Sequence, residues 1–95
     1  MTRIISLIRF TEQGARDIKK SIARAKAFNQ AAEKAGLKIE GQYWTFGAYD
    51  GVLILSADQP EKAIHCLAEL AASGNVRTES MLAFDGDQFA AIAGK

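Results

Sequence analysis

Four residues between two predicted strands are the strongest candidates for chemistry in this chain. Gly47, Tyr49, Asp50 and Gly51 occupy a turn, and Tyr49 is the one of the four that turn geometry does not require. A phenol there could donate a hydrogen bond to a ligand, with the Asp50 carboxylate as an acceptor or base. A tight hairpin also needs glycine for positive φ and aspartate for bonds to its own backbone. A ligand site and a turn both remain open.

Three further side chains are candidates for ligand binding. Tyr43 and Trp44 are consecutive on a strand, so one must face the helices and the other must face away. Large aromatics with a polar tip suit pockets, but packing in the core or in a dimer would use them equally well. Arg77, on an edge strand, could bind a carboxylate or phosphate through two parallel bonds. It could instead pair with Asp50 or with a neighbour of Glu79.

Metal and nucleophile sites find little support in the sequence. The chain has one histidine, His65, and one cysteine, Cys66, so a metal centre would need carboxylates for most of its ligands. His65 lies four residues from both Glu61 and Glu69, on a helix face predicted to be solvated. Cys66 is expected to be buried and inert. Because phosphate-loop and dinucleotide fingerprints are also missing from the sequence, we expect no cofactor and no metal.

The hydrophobic pattern predicts four strands and two helices to position these residues. Period-two alternation and continuous apolar runs indicate strands, whereas apolar residues three and four apart indicate helices. The predicted elements, in chain order, are a strand over 3–10, a helix over 12–35, a strand over 37–46, a strand over 52–55, a helix between 58 and 74, and a strand over 76–84.

Capping residues mark where the helices start and stop. Thr11 is predicted to cap the first helix, and Ser21 to cap its second part after a bend or break. Asp58, followed by Glu61, is a capping pattern for the second helix. The helices are expected to end at Gly36 and Gly74. The predicted inner faces are Ile22, Ala25, Phe28, Ala32 and Ala35 in the first helix, and Ala63, Ile64, Leu67, Leu70 and Ala71 in the second.

The order strand–helix–strand–strand–helix–strand predicts a ferredoxin-like α+β fold for a single domain over residues 1–95. Right-handed crossovers place the first and third strands at the centre of a four-stranded antiparallel sheet, with both helices on one face. In the second strand, alternation predicts two faces: Leu37, Ile39, Gly41, Tyr43 and Thr45 on one, and Lys38, Glu40, Gln42, Trp44 and Phe46 on the other.

Three segments resemble the GYD-domain family. The turn carries a Gly-x-Tyr-Asp motif at Gly47, Tyr49 and Asp50, and residues 74–79 and 10–14 resemble two further blocks of the family. Together the resemblance spans nearly the whole chain. It implies a ferredoxin-like fold of the dimeric α+β barrel type and implies no particular reaction, so enzymatic activity stays an open question.

The sheet face that two helices cannot cover is expected to be apolar. A contiguous apolar patch in water is unusual for a monomer, and a second copy of the sheet is its simplest cover. We therefore expect a homodimer or a higher multiple. The residues expected at the interface are Ile5, Leu7, Met81 and either Trp44 or Tyr43; with the faces exchanged, Ile4 and Ile8 would replace the first two.

Composition and charge limit the classes of function. The 95 residues have a net charge of +1 and are 48% hydrophobic, which excludes disorder. The N-terminal apolar stretch is too short for a signal peptide, and no run reaches the ~20 residues of a membrane helix. A cytoplasmic location without a membrane partner is therefore expected. Residues 1–38 hold nine basic and three acidic residues, whereas 39–95 hold three basic and eight acidic ones.

Three functions remain open on the sequence. The first is a small-molecule-binding homo-oligomer with a pocket between sheet and helices, using the candidate side chains above. The second is a non-catalytic interaction or assembly module in which those side chains build an interface. The third is an anion or nucleic-acid binder that uses the basic first helix. Nucleic acid is the least favoured partner, because no aromatic residues are interleaved with the basic ones.

Overall fold

The computed structural model describes residues 1–94, which fold as one four-stranded sheet with helices. A short 3-10 turn at Ile18–Lys20 leads directly into the second helix. The elements are β1 (Thr2–Phe10), α1 (Glu12–Arg16), α2 (Ser21–Lys34), β2 (Lys38–Trp44), β3 (Gly51–Ala57), α3 (Pro60–Ala72), β4 (Val76–Ala83) and α4 (Gly86–Ala93).

The predicted fold is confirmed. All neighbouring strands are antiparallel and their order is β2-β3-β1-β4, so the first and third strands are central. In the register, Ile5 of β1 lies between Ile54 of β3 and Met81 of β4. Helices α2 and α3 pack on one side of this sheet, which we call the inner face; the opposite side is the outer face.

The core lies between the inner face and the two long helices. Leu53 and Leu55 of β3 are completely buried because alternation points both toward α2 and α3. Burying a leucine side chain stabilises a fold by about 1.5–3 kcal/mol. The buried apolar residues are Ile4, Ala32, Leu37, Leu53, Leu55, Ala57, Ala63, Cys66 and Leu67.

Three residues predicted for the inner helix faces are exposed instead, namely Ile22, Ile64 and Ala71. Ala71 lies in the last turn of α3, about 80° around the helix from the buried Ala63. Ile22 is 57% exposed and Ile64 is 54% exposed. The backbone breaks before Ser21, so the buried stripe of α2 is set by the new helix start and Ile22 falls about 100° away from it. In α3 the stripe runs through Ala63 and Leu67, and Ile64 is displaced by the same angle.

The first helix breaks where the sequence places the bend. Thr11 caps α1 as predicted, since its Oγ1 accepts from the Gly14 amide at 3.1 Å. Gly14 is buried beside the chain that leads into β4, and a Cβ atom there would overlap the carbonyl of Asn75. The chain then turns through Asp17 into the 3-10 segment before α2 begins.

Two predicted caps are wrong. Lys20, not Ser21, occupies the N-cap position of α2, because the 3-10 turn runs directly into the helix and Ser21 is already helical. Gln59, not Asp58, is the N-cap of α3; the Asp58 carboxylate accepts from the Gln59 amide at 2.9 Å and pairs with Lys62 at 3.5 Å. A cap needs its oxygen over the first helical amides, and Asp58 lies one residue too early.

A β-bulge interrupts the predicted alternation of β2. Ile39 is paired with Leu55 and Gly41 with Ile54, so Glu40 is an extra residue in the strand. A bulge places two residues opposite one, and this reverses the faces of the residues beyond it.

The bulge decides which aromatic of β2 faces the helices. Trp44 lies on the inner face with Ile39 and donates a hydrogen bond to Ser21 of α2 at 2.9 Å. Gly41 and Tyr43 lie on the outer face, where a Cβ atom at Gly41 would come within 3.1 Å of the Tyr43 ring. The prediction that Ile39 shares a face with Tyr43 is therefore wrong.

No described element covers the outer face. Its central residues are half-buried, whereas Tyr43 is 60% exposed and Met81 46% exposed. Helix α4 extends from the end of β4 with all of its residues exposed, including Phe89 and Ile92. Among residues 1–94, no helix combines the length and apolar character needed to cross a bilayer.

Candidate functional site

A cavity of about 370 Å³ lies between the inner face and the helices. It sits at the end of the sheet where β1 finishes and β3 begins. Its apolar walls include Phe28 of α2 and Leu70 of α3, and its floor includes Leu53. Cavities of this volume, largely apolar and with a few polar groups, are typical sites for small organic ligands.

Small side chains leave this space open. Helix α2 presents Ala25 and Ala31 to the cavity, where larger apolar residues would fill it. On the sheet side, Gly51 is buried and a Cβ atom there would come within 3.0 Å of the Tyr43 carbonyl oxygen. Gly51, which follows the motif directly, therefore permits close approach of β2 and β3 beside the cavity.

Trp44 forms a fixed wall of the cavity. Its indole Nε1–H donates to Ser21 Oγ at 2.9 Å, and Ser21 is buried in the first turn of α2. The hydrogen bond joins the end of β2 to the start of α2, so the ring cannot turn without losing it. Tyr43 also borders the cavity, but its ring lies over Gly41 on the outer face.

Asp50 joins the turn to the end of β1. Its amide donates to the Ile8 carbonyl at 2.8 Å, and its carboxylate Oδ2 accepts from the Phe10 amide at 2.8 Å. Its carbonyl accepts from the Thr45 amide at 2.9 Å, which closes the turn. Asp50 therefore has a structural role, but its carboxylate bonds the backbone of β1, whereas the turn interpretation expects it to bond that of its own turn; it also borders the cavity.

Tyr49 points away from the cavity. Its hydroxyl donates to Glu79 Oε2 of β4 at 3.1 Å, and the Arg9 guanidinium lies over its ring, 4.7 Å from the centroid. Arg9 also donates to the Ala48 carbonyl at 3.1 Å. Adjacent residues of the motif therefore serve opposite sides of the sheet: Asp50 holds β1 beside the cavity and Tyr49 binds β4 on the outer side.

The remaining motif and edge candidates lie outside the cavity as well. Gly47 has a φ of +145° with nothing within 4 Å of a built Cβ atom, so its backbone conformation is what calls for glycine. Arg77 is exposed and directly opposite Arg9 in the β1–β4 ladder. Within residues 1–94 it forms no ion pair, with Asp50 or with any other acid.

The sequence does not single out Arg24, which borders the cavity on α2. Its Nη1 donates to the Asp17 carbonyl at 3.0 Å and its Nη2 to the Gly14 carbonyl at 3.3 Å. The available signal is its spacing: Arg24 follows Ser21 by three residues and precedes Phe28 by four, which places it on the inner stripe. From its charge alone, Arg24 would be placed on the solvated, basic face of the helix.

Cys66 borders the cavity from α3 as a free, buried thiol. Burial raises the pKa of the Cys66 thiol, and the nearby Glu69 carboxylate raises it further. The thiol is therefore protonated at neutral pH and serves as an apolar wall. In the part of the chain that the structure describes, no three His, Cys, Asp or Glu side chains are grouped as metal ligands.

Solved structures share this fold. TTHA0845 from Thermus thermophilus is 24% identical, with a TM-score of 0.56, and 90% of this chain covers 96% of that one. FFRP-DM1 is 14% identical with a TM-score of 0.59 over 88% of this chain and 100% of that chain. MtbAldR is 17% identical with a TM-score of 0.62 over 88% of this chain and 53% of that chain. At these identities the likeness concerns the fold alone.

Sequence comparison identifies the family. No curated protein sequence matches the chain significantly. The family model described as the GYD domain matches residues 4–93, which includes the turn, the cavity walls and both long helices. With nearly its whole length matched, the chain belongs to the GYD-domain family.

Proposed function

We propose that this protein binds a small, largely apolar organic molecule in the cavity between sheet and helices. The observation that carries the proposal is the cavity itself, about 370 Å³ and already open beside Trp44. Interiors of folded proteins are close-packed, and unfilled space costs dispersion energy and stability. A space of this size that small residues keep open is best explained by an occupant.

The walls indicate what kind of molecule fits. Aromatic and aliphatic side chains dominate, among them Phe28, Trp44 and Leu70. Polar side chains also border the space, and several of these already bond other protein groups: Gln42, for example, exchanges two hydrogen bonds with Asn29 at 2.9 and 3.1 Å. Binding energy would therefore come mainly from apolar contact, with orientation set by a few polar groups.

A substitution that fills the cavity with a larger side chain tests the proposal. Trp44 is the only tryptophan of the chain and borders the space, so its fluorescence reports occupancy. We expect 1-octanol to change this fluorescence in a saturable way, and Ala25→Phe to abolish the response by occupying the space. Ala23→Phe is the matched control, since Ala23 is exposed on the same helix and does not border the cavity. Equal responses in both variants would reject the cavity as the site.

We also propose that the protein is a homodimer formed through the outer face. Ile5, Leu7 and Ile54 form an apolar centre that lacks a cover among the described elements, and Tyr43 and Met81 extend it to both sides. A second copy fits best because a two-fold axis makes such a patch complementary to itself. A stable pair would bury roughly 1,600 Å². Sedimentation at micromolar concentration should give twice the 10.3 kDa chain mass; a folded monomer would contradict it.

An interaction or assembly module is the alternative function, with the outer face as its working surface. It predicts the same dimer but no occupant of the cavity. The 1-octanol titration separates the two functions, because a dimer without a saturable Trp44 response supports the assembly module alone.

A further inference from the structure

The polar groups at the cavity differ in how much bonding capacity they have left. Most side chains there are committed to protein partners: Glu69 pairs with His65 at 3.0 Å, and Ser73 donates to the Leu70 carbonyl at 2.6 Å. Asn75 accepts from Gln13 at 3.0 Å. Donors or acceptors without a protein partner remain on the guanidinium of Arg24, the hydroxyl of Ser21 and one carboxylate oxygen of Asp50. One oxygen of Glu69, whose side chain is 66% exposed, and the Nδ2 amide group of Asn75 are also left over.

Arg24 is a cation without a counter-charge. Its two hydrogen bonds go to backbone carbonyls of Gly14 and Asp17, and no carboxylate of residues 1–94 pairs with it. A guanidinium has five N–H donors, so three remain for another group. The two carbonyl bonds hold the side chain against the α1–α2 break, at a position that borders the cavity.

Ser21 adds a donor on the same helix face. Its oxygen accepts from Trp44 Nε1, which leaves its own hydroxyl proton for another acceptor. Ser21 and Arg24 are three residues apart in α2, so their side chains are neighbours on the helix surface. Two donors, one of them charged, therefore lie on one face of α2, and both residues border the cavity.

Asp50 is the competing anchor. Its Oδ2 already accepts from the Phe10 amide at 2.8 Å, so one oxygen is left for a ligand. A cationic ligand would have this acceptor and one oxygen of the solvent-exposed Glu69, whereas an anionic one would have the charged fork of Arg24 and the hydroxyl of Ser21. Arginine pairs with carboxylates in a bidentate arrangement that is roughly twice as strong as neutral bonds.

We infer that the ligand is an apolar carboxylate. Its carboxylate lies between Arg24 and Ser21, and its hydrocarbon or aromatic body extends along Phe28 and Leu70. This inference rests on the proposed function, since it names the chemical class of the molecule that the cavity holds. Asp50 then orients the ligand by repulsion, keeping the negative head at the α2 side of the space.

Three molecules with the same eight-carbon chain test the head group. Octanoate, 1-octanol and octylamine are titrated at pH 7 against the full chain, with Trp44 fluorescence as the readout. We expect octanoate to bind about tenfold more tightly than 1-octanol, and octylamine to bind more weakly than either. Arg24→Gln should bring octanoate down to the affinity of 1-octanol and leave 1-octanol unchanged.

Matched variants keep the test decisive. Lys26→Gln removes one positive charge from an exposed position of the same helix that does not border the cavity, and it should leave the octanoate preference intact. Arg24→Lys keeps the charge but loses the fork, so it should retain part of the preference. If Arg24→Gln fails to fold, as judged by circular dichroism, the wild-type comparison and Arg24→Lys still decide.

Each contrary result overturns a different statement. Equal binding of octanoate and 1-octanol refutes the carboxylate and leaves the apolar ligand in place. Tightest binding of octylamine, lost in Asp50→Asn, makes Asp50 the anchor and refutes the role of Arg24. Saturable binding of none of the three molecules overturns the proposed function together with this inference.

Discussion

The two faces of the sheet carry similar side chains in different surroundings. On the inner face, Leu53 and Leu55 are 1% and 0% exposed because α2 and α3 lie over them. On the outer face, Ile54 of the same strand is only half-buried and Tyr43 is 60% exposed. One alternating strand thus supplies both a completed core and an uncovered apolar surface. The difference shows that α2 and α3 cover the inner side of β3, whereas no element of residues 1–94 covers its outer side.

The inner face also differs from the outer face because its packing leaves a largely apolar cavity. Next to a tightly closed core, small residues such as Ala25 and Gly51 keep a cavity beside Trp44. The outer face has a smaller pocket of about 210 Å³ beside Arg3 and Glu40, and its lining is mostly polar. We therefore assign ligand binding to the inner face and association to the outer face, and the following predictions test this division.

The largest effect is expected in the closed core. Leu55→Ala should lower the free energy of unfolding by about 2–5 kcal/mol, because it removes buried methyl groups and leaves a cavity. Urea denaturation measures this loss. Leu82→Ala is the control: Leu82 is 59% exposed, and the same substitution there should cost less than about 1 kcal/mol. Similar losses at both positions would mean that the helices do not close the core as described.

A charge on the outer face should disrupt association. Met81→Glu would bury an unpaired carboxylate between two copies, which costs at least about 2 kcal/mol and weakens the dimer by more than tenfold. Sedimentation over a range of concentrations measures the dissociation constant. Phe46→Glu, at a fully exposed position of the turn, should leave the constant unchanged. An intact dimer in Met81→Glu would move the interface elsewhere.

Substitutions at the neighbouring motif residues Asp50 and Tyr49 should differ in how much they destabilise the protein. Asp50→Ala leaves the half-buried Phe10 amide without its charged acceptor, so we expect a loss of about 1.5–3 kcal/mol. Thermal unfolding with circular dichroism measures it, and Asp50→Asn, which keeps an acceptor oxygen, should lose less. A loss below about 0.5 kcal/mol in Asp50→Ala would show that the turn does not depend on this bond.

Tyr49→Phe should change stability by less than about 1 kcal/mol. The bond that it removes joins the phenol to exposed Glu79, and exposed bonds contribute little net stability. Because Tyr49 does not border the cavity, the Trp44 response to 1-octanol should be unchanged. Loss of that response in a folded Tyr49→Phe protein would place the ligand on the outer side, contrary to the division of the two faces.

The smallest effect concerns pH. The hydrogen bond from Arg3 to Glu40, 3.2 Å long, holds the pKa of the Glu40 carboxyl below its usual value. A lowered pKa in the folded state means that the pair stabilises the fold above the unfolded pKa and that this contribution is lost as pH falls through the folded pKa. In Glu40→Gln, the free energy of unfolding should therefore fall slightly less steeply as the pH is lowered into the acid range. An unchanged slope would show that the pair does not contribute.

The sequence predicts the order of elements better than the faces of individual residues. Alternation and helical spacing are local, so β3 with Leu53 and Leu55 and the helix end at Gly36 can be predicted. The extra residue Glu40 cannot, because a bulge depends on how β2 pairs with β3. The spacing of apolar residues predicts the wrong helix face for Ile22 for a related reason: the break before Ser21 sets which residues of α2 face the sheet.

The site is predictable only in part. Residue type and position identify Asp50 and Trp44 as candidates. They do not identify the contacts, because the Asp50 carboxylate bonds an amide 40 residues earlier in the chain and Trp44 bonds Ser21. Arg24 escapes sequence reasoning because its role depends on where the α1–α2 break directs its side chain. Long-range contacts of this kind leave no period in a sequence.

A crystal structure with 8-bromo-1-octanol tests the central claim most directly. The anomalous signal of bromine locates the bound chain without reference to any assumed site. We expect a peak between Phe28 and Leu70, on the inner face and close to the Trp44 ring. A peak on the outer face near Tyr43 or Ile5, with the cavity empty, would contradict the assignment of ligand binding to the inner face.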